Sequence, residues 1–305
     1  YRDPNVMLEA FFAGRYDVQS ENVAKLWATA YDAPAVKDGR ITRAEIPHSN
    51  PVGMQAFIFN IRRPVFTDIH VRRAIGMAFD YEWANKKLAG GVYERTSSFF
   101  ENSELAARGL PTPAELKILE PFRGKIPDAV FTETFTLPHT DGSGNARENL
   151  IKAADMLDQA GYKLGRDGVR VNDAGIRLKF EFIESNPALE RWILPFLQNL
   201  KKIGVAVTLR TIDPTQYQNR MQNFDFDMTT AVMGQSDSPG NEQRDYWTSA
   251  KADQAGSRNL IGVKDPVVDV LVDQIINAPT RADLVARTRA LDRVLLHSYY
   301  VVPNW

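Results

Sequence analysis

An α/β fold is what this sequence predicts, and three observations carry that expectation. Between residues 177 and 232, three strand-like runs alternate with two helical stretches, the order that builds a sheet covered by crossover helices. Elsewhere apolar residues recur at i, i+3, i+4 and i+7, the mark of helices with one buried stripe. The 305 residues are 44% apolar and 25% charged, the balance of an ordinary globular chain with room for one large or two medium domains.

In chain order, residues 5–14 read as a short helix stopped by Gly14, and Arg15–Val18 as a brief strand. Glu21–Ala30 reads as a second helix. Residues 33–53 hold three prolines and one strand candidate, Arg40–Ile46. Gln55–Asn60 is an apolar, aromatic run of strand length. Pro64 and the Phe66-Thr67-Asp68 turn break it, with Thr67 or Asp68 as N-cap of the helix that follows. That helix buries Val71, Ala74, Ile75, Ala78 and Phe79, and Arg72 and Arg73 are expected to point away from the stripe.

Gly90–Pro138 is irregular and rich in Pro and Gly, and a loop of that length in a compact domain is functional or wraps the surface. The Asp141-Gly-Ser-Gly-Asn145 turn leads into a helix over Arg147–Ala160 that buries Leu150, Ala153, Ala154 and Leu157 and ends at Gly161. Arg177–Glu184 alternates, with Leu178, Phe180 and Phe182 on its buried face. A helix through Leu189, Ile193, Phe196, Leu197 and Leu200 closes at Gly204. Val205–Leu209 is a strand, Pro214–Asn223 a short helix, and Asp225–Val232 a third strand. Two more amphipathic helices, Pro266–Asn277 and Arg281–His297, precede a last strand from Tyr299.

Bulk properties exclude several functions. With 37 basic against 38 acidic residues and no basic block, nucleic acid is not expected as a partner. No apolar run approaches the roughly 18 residues that read as a membrane span. The chain has no cysteine, so thiolate catalysis and disulfides are out. There is no Walker A sequence, His-Glu-x-x-His, Gly-x-Gly-x-x-Gly or Gly-x-Ser-x-Gly. His48, His70, His139 and His297 are dispersed without ligand spacing. Asp225 and Asp227 share one face of a strand, more often a surface feature than an acid pair. Asp141–Asn145 lacks the ligand count of a calcium loop. No catalytic residue, metal or cofactor is expected, and nothing in the sequence points to an enzyme performing covalent chemistry.

The stretch most suited to a ligand runs from Ala231 to Trp247, where a strand enters small and polar residues and then a charged, aromatic segment. Ligands sit at the carboxyl ends of strands in open α/β sheets. The candidate ligand-binding residues are Gly234, Gln235, Ser236, Asp237, Arg244, Tyr246 and Trp247. Arg244 can clamp a carboxylate and Tyr246 can offer a flat wall with a polar handle. Against this, Asp237 can simply cap a turn, and Trp247 is better suited to the core. Phe99, Phe100, Glu101 and Asn102 are weaker candidates.

The pattern N-x-x-x-P-x-F-x-D-x-x-V-R-x-A-x-x-x-A-x-D is carried here by Asn60, Pro64, Phe66, Asp68, Val71, Arg72 or Arg73, Ala74, Ala78 and Asp80. It resembles the peptide-binding type of extracellular solute-binding protein, the receptor of an ABC importer (solute-binding family 5). Lys152–Tyr162 resembles that family's recurrent A-x-x-L-L-x-E-A-G-Y element. Gly53–Phe57, Ser98–Asn102, Asp141–Asn145, Ser238–Arg244 and Ala290–Val294 resemble its Yej-type oligopeptide-binding members in particular.

The resemblance implies a periplasmic-binding-protein-like clamshell (type II), here mostly the second lobe plus part of the first. It puts the remainder of the first lobe at 1–56, the second lobe at 57–300 and the start of a return at 301–305. The opening Tyr1-Arg-Asp-Pro-Asn5 lacks an initiator Met, so a fragment without most of the N-terminal lobe and without its signal peptide is expected. The resemblance also implies an acid in the 234–247 loop that pairs with a peptide α-ammonium group. Asp237 is the natural candidate, although a gapless register from Asp227 puts Ser236 there. Implied partners are an oligopeptide or peptide-like ligand and an inner-membrane ABC permease, with the receptor acting as a monomer. A sugar, opine or chelate, or a hydrolytic role, are the alternatives.

Overall fold

The computed structural model describes residues 4–21 and 23–305. They divide into two units, one of residues 1–48 with 84–93 and one of 49–83 with 94–305. In the first unit, helices Pro4–Phe12, Ala24–Thr29 and Pro34–Lys37 carry an aromatic group. Tyr31 meets Phe12 edge-on at 5.6 Å and Trp27 at 5.6 Å, and the Arg43 guanidinium lies 4.2 Å over Trp27. The two strands expected here, Arg15–Val18 and Arg40–Ile46, are absent: both are irregular, with no partner strand among the described residues to take their backbone bonds. The second helix starts at Ala24, and Asn22 of its expected range lies outside the described residues.

The larger unit is built on one sheet. Its strands in chain order are β1 (Val52–Phe59), β2 (Phe100–Glu101), β5 (Lys179–Glu184), β6 (Ala206–Thr211), β7 (Met228–Met233) and β8 (Val301–Pro303); β3 (Lys163–Leu164) and β4 (Arg170–Val171) form a separate hairpin. The order is β2-β1-β7-β5-β6, with β8 beside β2 along the same edge of β1. β5 runs parallel to β6 and β7, and β1 runs antiparallel to β7 and β8. The mixed α/β architecture is the one the sequence predicts.

Two faces of this sheet are packed differently. One is aromatic: Phe57 stacks on Phe196 at 5.4 Å and meets Phe79 and Phe182 edge-on at 5.2 and 5.3 Å, and Phe66 meets Phe180 at 4.8 Å. Burying each such ring contributes about 1.5–3 kcal/mol. Helices Ile69–Met77 and Glu190–Lys202 cover it. The other face is largely aliphatic and lies under Pro266–Ile276 and Arg281–His297, which bury Val268, Leu271, Val272, Leu291 and Leu295.

Local rules explain the boundaries. Asp68 is the N-cap of Ile69–Met77, its carboxylate accepting the His70 N–H at 2.8 Å, and all five stripe residues are buried. Gly161 ends the Arg147–Gln159 helix at φ +83°, a backbone state in which any side chain would be strained. One expectation is overturned. Arg73 is exposed, but Arg72 is buried, and its guanidinium donates to the carbonyls of Phe66 (2.7 Å), Thr67 (2.9 Å) and Ser298 (2.7 Å). These carbonyls lie at the ends of the Pro64–Phe66 turn and the Arg281–His297 helix, where no next turn takes them, and a five-donor fork satisfies several at once.

Candidate functional site

The candidate loop leaves β7 at Met233 and enters the short helix Glu242–Trp247. Gly234 packs against β1: a Cβ on Gly53 would fall 2.7 Å from the Gly234 Cα, so only glycine lets the two backbones approach. Gln235 is held by a relay. The buried Trp247 Nε1–H donates to the Gln243 side-chain oxygen at 3.0 Å, and the Gln243 amide donates to Gln235 Oε1 at 2.7 Å. Trp247 also meets Phe99 edge-on at 5.1 Å, so it is a core residue that positions the loop. Phe99 and Phe100 are buried in the same core, and the Glu101 carboxylate is taken by Ser97 and Arg108, so the Phe99–Asn102 segment is structural.

Ser236 and Asp237 stand exposed at the loop tip. The Asp237 main-chain carbonyl accepts from Arg281, while its carboxylate has no hydrogen bond or ion pair among the described residues and caps no turn. Arg244 is not idle: it pairs with Asp273 at 2.6 Å. Tyr246 is half-buried, with the Arg258 guanidinium 5.4 Å over its ring and 3.3 Å from its hydroxyl. Tyr246, Trp247 and Arg258 line a cavity of about 380 Å³ whose other walls are Ala231–Met233, Ile58 and Ile261. The structure thus brings Tyr246 and Trp247 to one cavity, ties Gln235 to Trp247 through the relay, and leaves Ser236 and Asp237 at the open tip.

A different cavity, of about 410 Å³, lies by β8 and is lined by Arg73, Arg95, Lys152 and His297. It touches none of the candidate residues. Arg95 there donates to the Pro303 and Pro138 carbonyls at 3.1 and 2.7 Å, and burial lowers its guanidinium to about 10. Burial also lowers the His297 imidazole, which hydrogen-bonds the Arg293 carbonyl at 3.0 Å. The Asp225 and Asp227 pair is a surface clamp, both carboxylates meeting Arg63 at 3.1 and 3.0 Å. No group of His, Asp and Glu among the described residues could hold a metal ion.

The feature that side-chain reasoning missed is in the main chain of β7. Gln55 gives its N–H to Trp305 (3.3 Å) and its carbonyl to the Asn304 N–H (2.9 Å), so both its backbone groups face the β8 side. Its partner on β7 is Val232. In an antiparallel ladder such a pair is non-hydrogen-bonded, which turns the Val232 N–H and C=O to the opposite edge. β5 covers that edge only at Met228 and Thr229. The Tyr217 hydroxyl donates to the Thr230 carbonyl at 3.1 Å, and among the described residues no strand pairs with this edge from Val232 onward. Val232 is 63% exposed.

A family model described as bacterial extracellular solute-binding proteins, family 5 middle, matches residues 1–255. The chain is 46% identical to a probable peptide-binding protein YejA of Agrobacterium fabrum over 308 residues, covering all of this chain and 50% of that protein. It is 39% identical to an uncharacterized protein YejA of Escherichia coli, again over all of this chain and 50% of that one. The chain therefore spans about half the length of the curated relatives it matches. Among solved structures, the oligopeptide-binding protein AppA from Bacillus subtilis in complex with a nonapeptide is similar, with a TM-score of 0.69 at 18% identity. That match covers 99% of this chain and 52% of AppA, and at this identity it bears on fold alone.

Proposed function

We propose, because this chain belongs to the bacterial extracellular solute-binding proteins of family 5, that the whole protein is the substrate-binding component of an ABC importer. It captures oligopeptides or peptide-like compounds in the periplasm by lobe closure and passes them to an inner-membrane permease. Residues 57–300 are in this reading the second lobe.

The observation that carries the reading is the open edge of β7 at Val232, beside the loop at the carboxyl end of the sheet. An extended peptide can add itself to such an edge through main-chain hydrogen bonds, which give affinity with loose sequence preference. Tyr217 marks where this edge begins, and the cavity walled by Tyr246 and Trp247 is available to a side chain of the added strand.

The test is Val232→Pro in the full-length protein. Proline removes the N–H that faces the open edge, and at that position the β1 ladder loses nothing. Calorimetry with a set of tri- to pentapeptides is expected to show affinity reduced by about tenfold, the equivalent of one lost hydrogen bond in a desolvated site, with a melting temperature close to wild type. Undiminished affinity in the variant would remove β7 from the binding mechanism.

A further inference from the structure

On the aromatic face of the sheet, the buried stripes of β1 and β5 turn polar at the same end. Down β1 the residues on this face are Phe59, Phe57 and then Gln55; down β5 they are Phe180, Phe182 and then Glu184. β7 contributes Thr230 and Val232, and Asn304 follows β8 beside Gln55. Glu184, Thr230 and Asn304 are buried or nearly so, yet Glu184 Oε2, Thr230 Oγ1, Gln55 Nε2 and both polar side-chain atoms of Asn304 have no hydrogen-bond partner among the described residues. Leaving a buried polar atom unsatisfied costs roughly 1–3 kcal/mol. A row of them is a place where water or a ligand can supply the missing donors and acceptors.

Glu184 is the charged member. Its Oε1 accepts the N–H groups of Ser185 and Asn186 at 2.8 and 2.9 Å, and Oε2 meets no basic group within 4 Å among the described residues. β5 ends at Glu184, level with Thr230. A strand added to the open edge of β7 would therefore lie end to end with β5, and its residue opposite Val232 would place its side chain on the same face as Glu184. Two residue steps separate Val232 from the level of Glu184, about 7 Å at 3.3 Å per residue. That is the reach of a long side chain rather than of the main chain.

We propose that Glu184 is the counterion for a cationic side chain of the bound peptide, an ammonium or guanidinium borne by the residue opposite Val232, with Thr230 and Gln55 as neutral partners in the same row. The proposal rests on the docking of a peptide along β7. A charge-assisted hydrogen bond formed where water is excluded is among the stronger polar contacts available, and it gives the receptor a side-chain preference on top of main-chain affinity.

The experiment uses the full-length protein freed of ligand and eight tetrapeptides: tetra-alanine with Lys at each position in turn, and the same four with norleucine. At one position Lys is expected to bind on the order of tenfold tighter than norleucine, the value of a hydrogen bond to a charged group. Glu184→Gln should abolish that preference while leaving the norleucine peptides within about twofold. Glu184→Asp, which keeps the charge on a shorter stem, should retain part of it. Peptides that bind without any Lys preference, or a preference that survives Glu184→Gln, would overturn the assignment and make the row a hydrated layer. Failure of all eight to bind would instead overturn the docking on which it rests.

Discussion

Segments 90–138 and 234–241 are both rich in Gly, Pro and small polar residues, and the fold uses them in opposite ways. The long segment, expected to be irregular, in fact carries the short helices Pro113–Leu119 and Ala129–Thr132. The long segment is sewn to the helix Arg281–His297 by buried charge. Arg293 pairs with Glu115 at 2.5 Å, both side chains fully buried, and also donates to the carbonyls of Arg108, Gly109 and Leu110. Next to it Asp292 accepts from the Ser98 hydroxyl (2.7 Å) and the N–H groups of Phe99 and Ala107 (2.9 Å each). Among the described residues the short segment is tied by the Gln243–Gln235 relay, one Arg281 contact and the turn bonds of Gly240 and Asn241 into the following helix, and its tip presents an unpartnered carboxylate. Length and composition do not separate a loop that is tied down from one whose tip is left free; the bookkeeping of its polar groups does.

The comparison breaks first at Arg293. Arg293→Met leaves Glu115 buried without its counter-charge, with only the Thr112 hydroxyl donating to it, and three carbonyls without this donor, which should cost about 3–5 kcal/mol in urea unfolding of the full-length protein. Arg293→Met with Glu115→Leu removes both charges and should recover a large part of that loss. A cost under about 1 kcal/mol for the single variant would mean that the segment is not held by this pair.

Asp292 gives a smaller effect with a pH signature. Burial raises its carboxyl from an ordinary 3.8 to about 6, against the lowering influence of Ser98, Ala107 and Phe99. The folded protein thus holds this proton more tightly than the unfolded chain does. The stability linked to it is fully present below about pH 4 and is lost as pH rises through about 6, a change of about 3 kcal/mol across that window. Asp292→Asn should flatten this slope. It should also cost about 1–3 kcal/mol at low pH, because one side-chain oxygen that accepts from Ser98 and Ala107 becomes a donor. Identical slopes in the two proteins would assign the titration elsewhere.

Much of the fold was legible in the sequence because local rules coincide with tertiary ones: the Asp68 cap, the five-residue stripe after it, and the strands that alternate around Phe180 and Phe182. Trp247 was rightly weighed toward the core. Arg72 was not legible, because its acceptors at Ser298 lie 226 residues away and only the folded chain brings those carbonyls to it. Arg15–Val18 and Arg40–Ile46 have strand-like composition but no neighbouring strand among the described residues. The Val232 edge could not be read at all, since which backbone groups are spare depends on pairing. Glu184 could have been: in Phe180-Glu-Phe-Ile-Glu184 it falls on the buried parity, and a carboxylate on that parity is the signal that alternation alone passes over.

The smallest expected effect is the one that sharpens the contrast most. Asp237 is exposed and its side chain has no partner among the described residues, so Asp237→Ala should change stability by no more than about 0.5 kcal/mol. Its value, if it meets a ligand ammonium at the loop tip, is that of an exposed ion pair, about 0.2–1 kcal/mol, or up to about fivefold in affinity. The readout is the preference of the full-length protein for a peptide with a free amino terminus over the same peptide N-acetylated. Asp237→Ala should erase most of that preference and Ser236→Ala should leave it. The reverse outcome would fix the gapless register from Asp227, in which Ser236 takes the position. An unchanged preference in both variants would move the amino-terminal contact off this loop, and the carboxylate at its tip would then be a solvated surface group like many others.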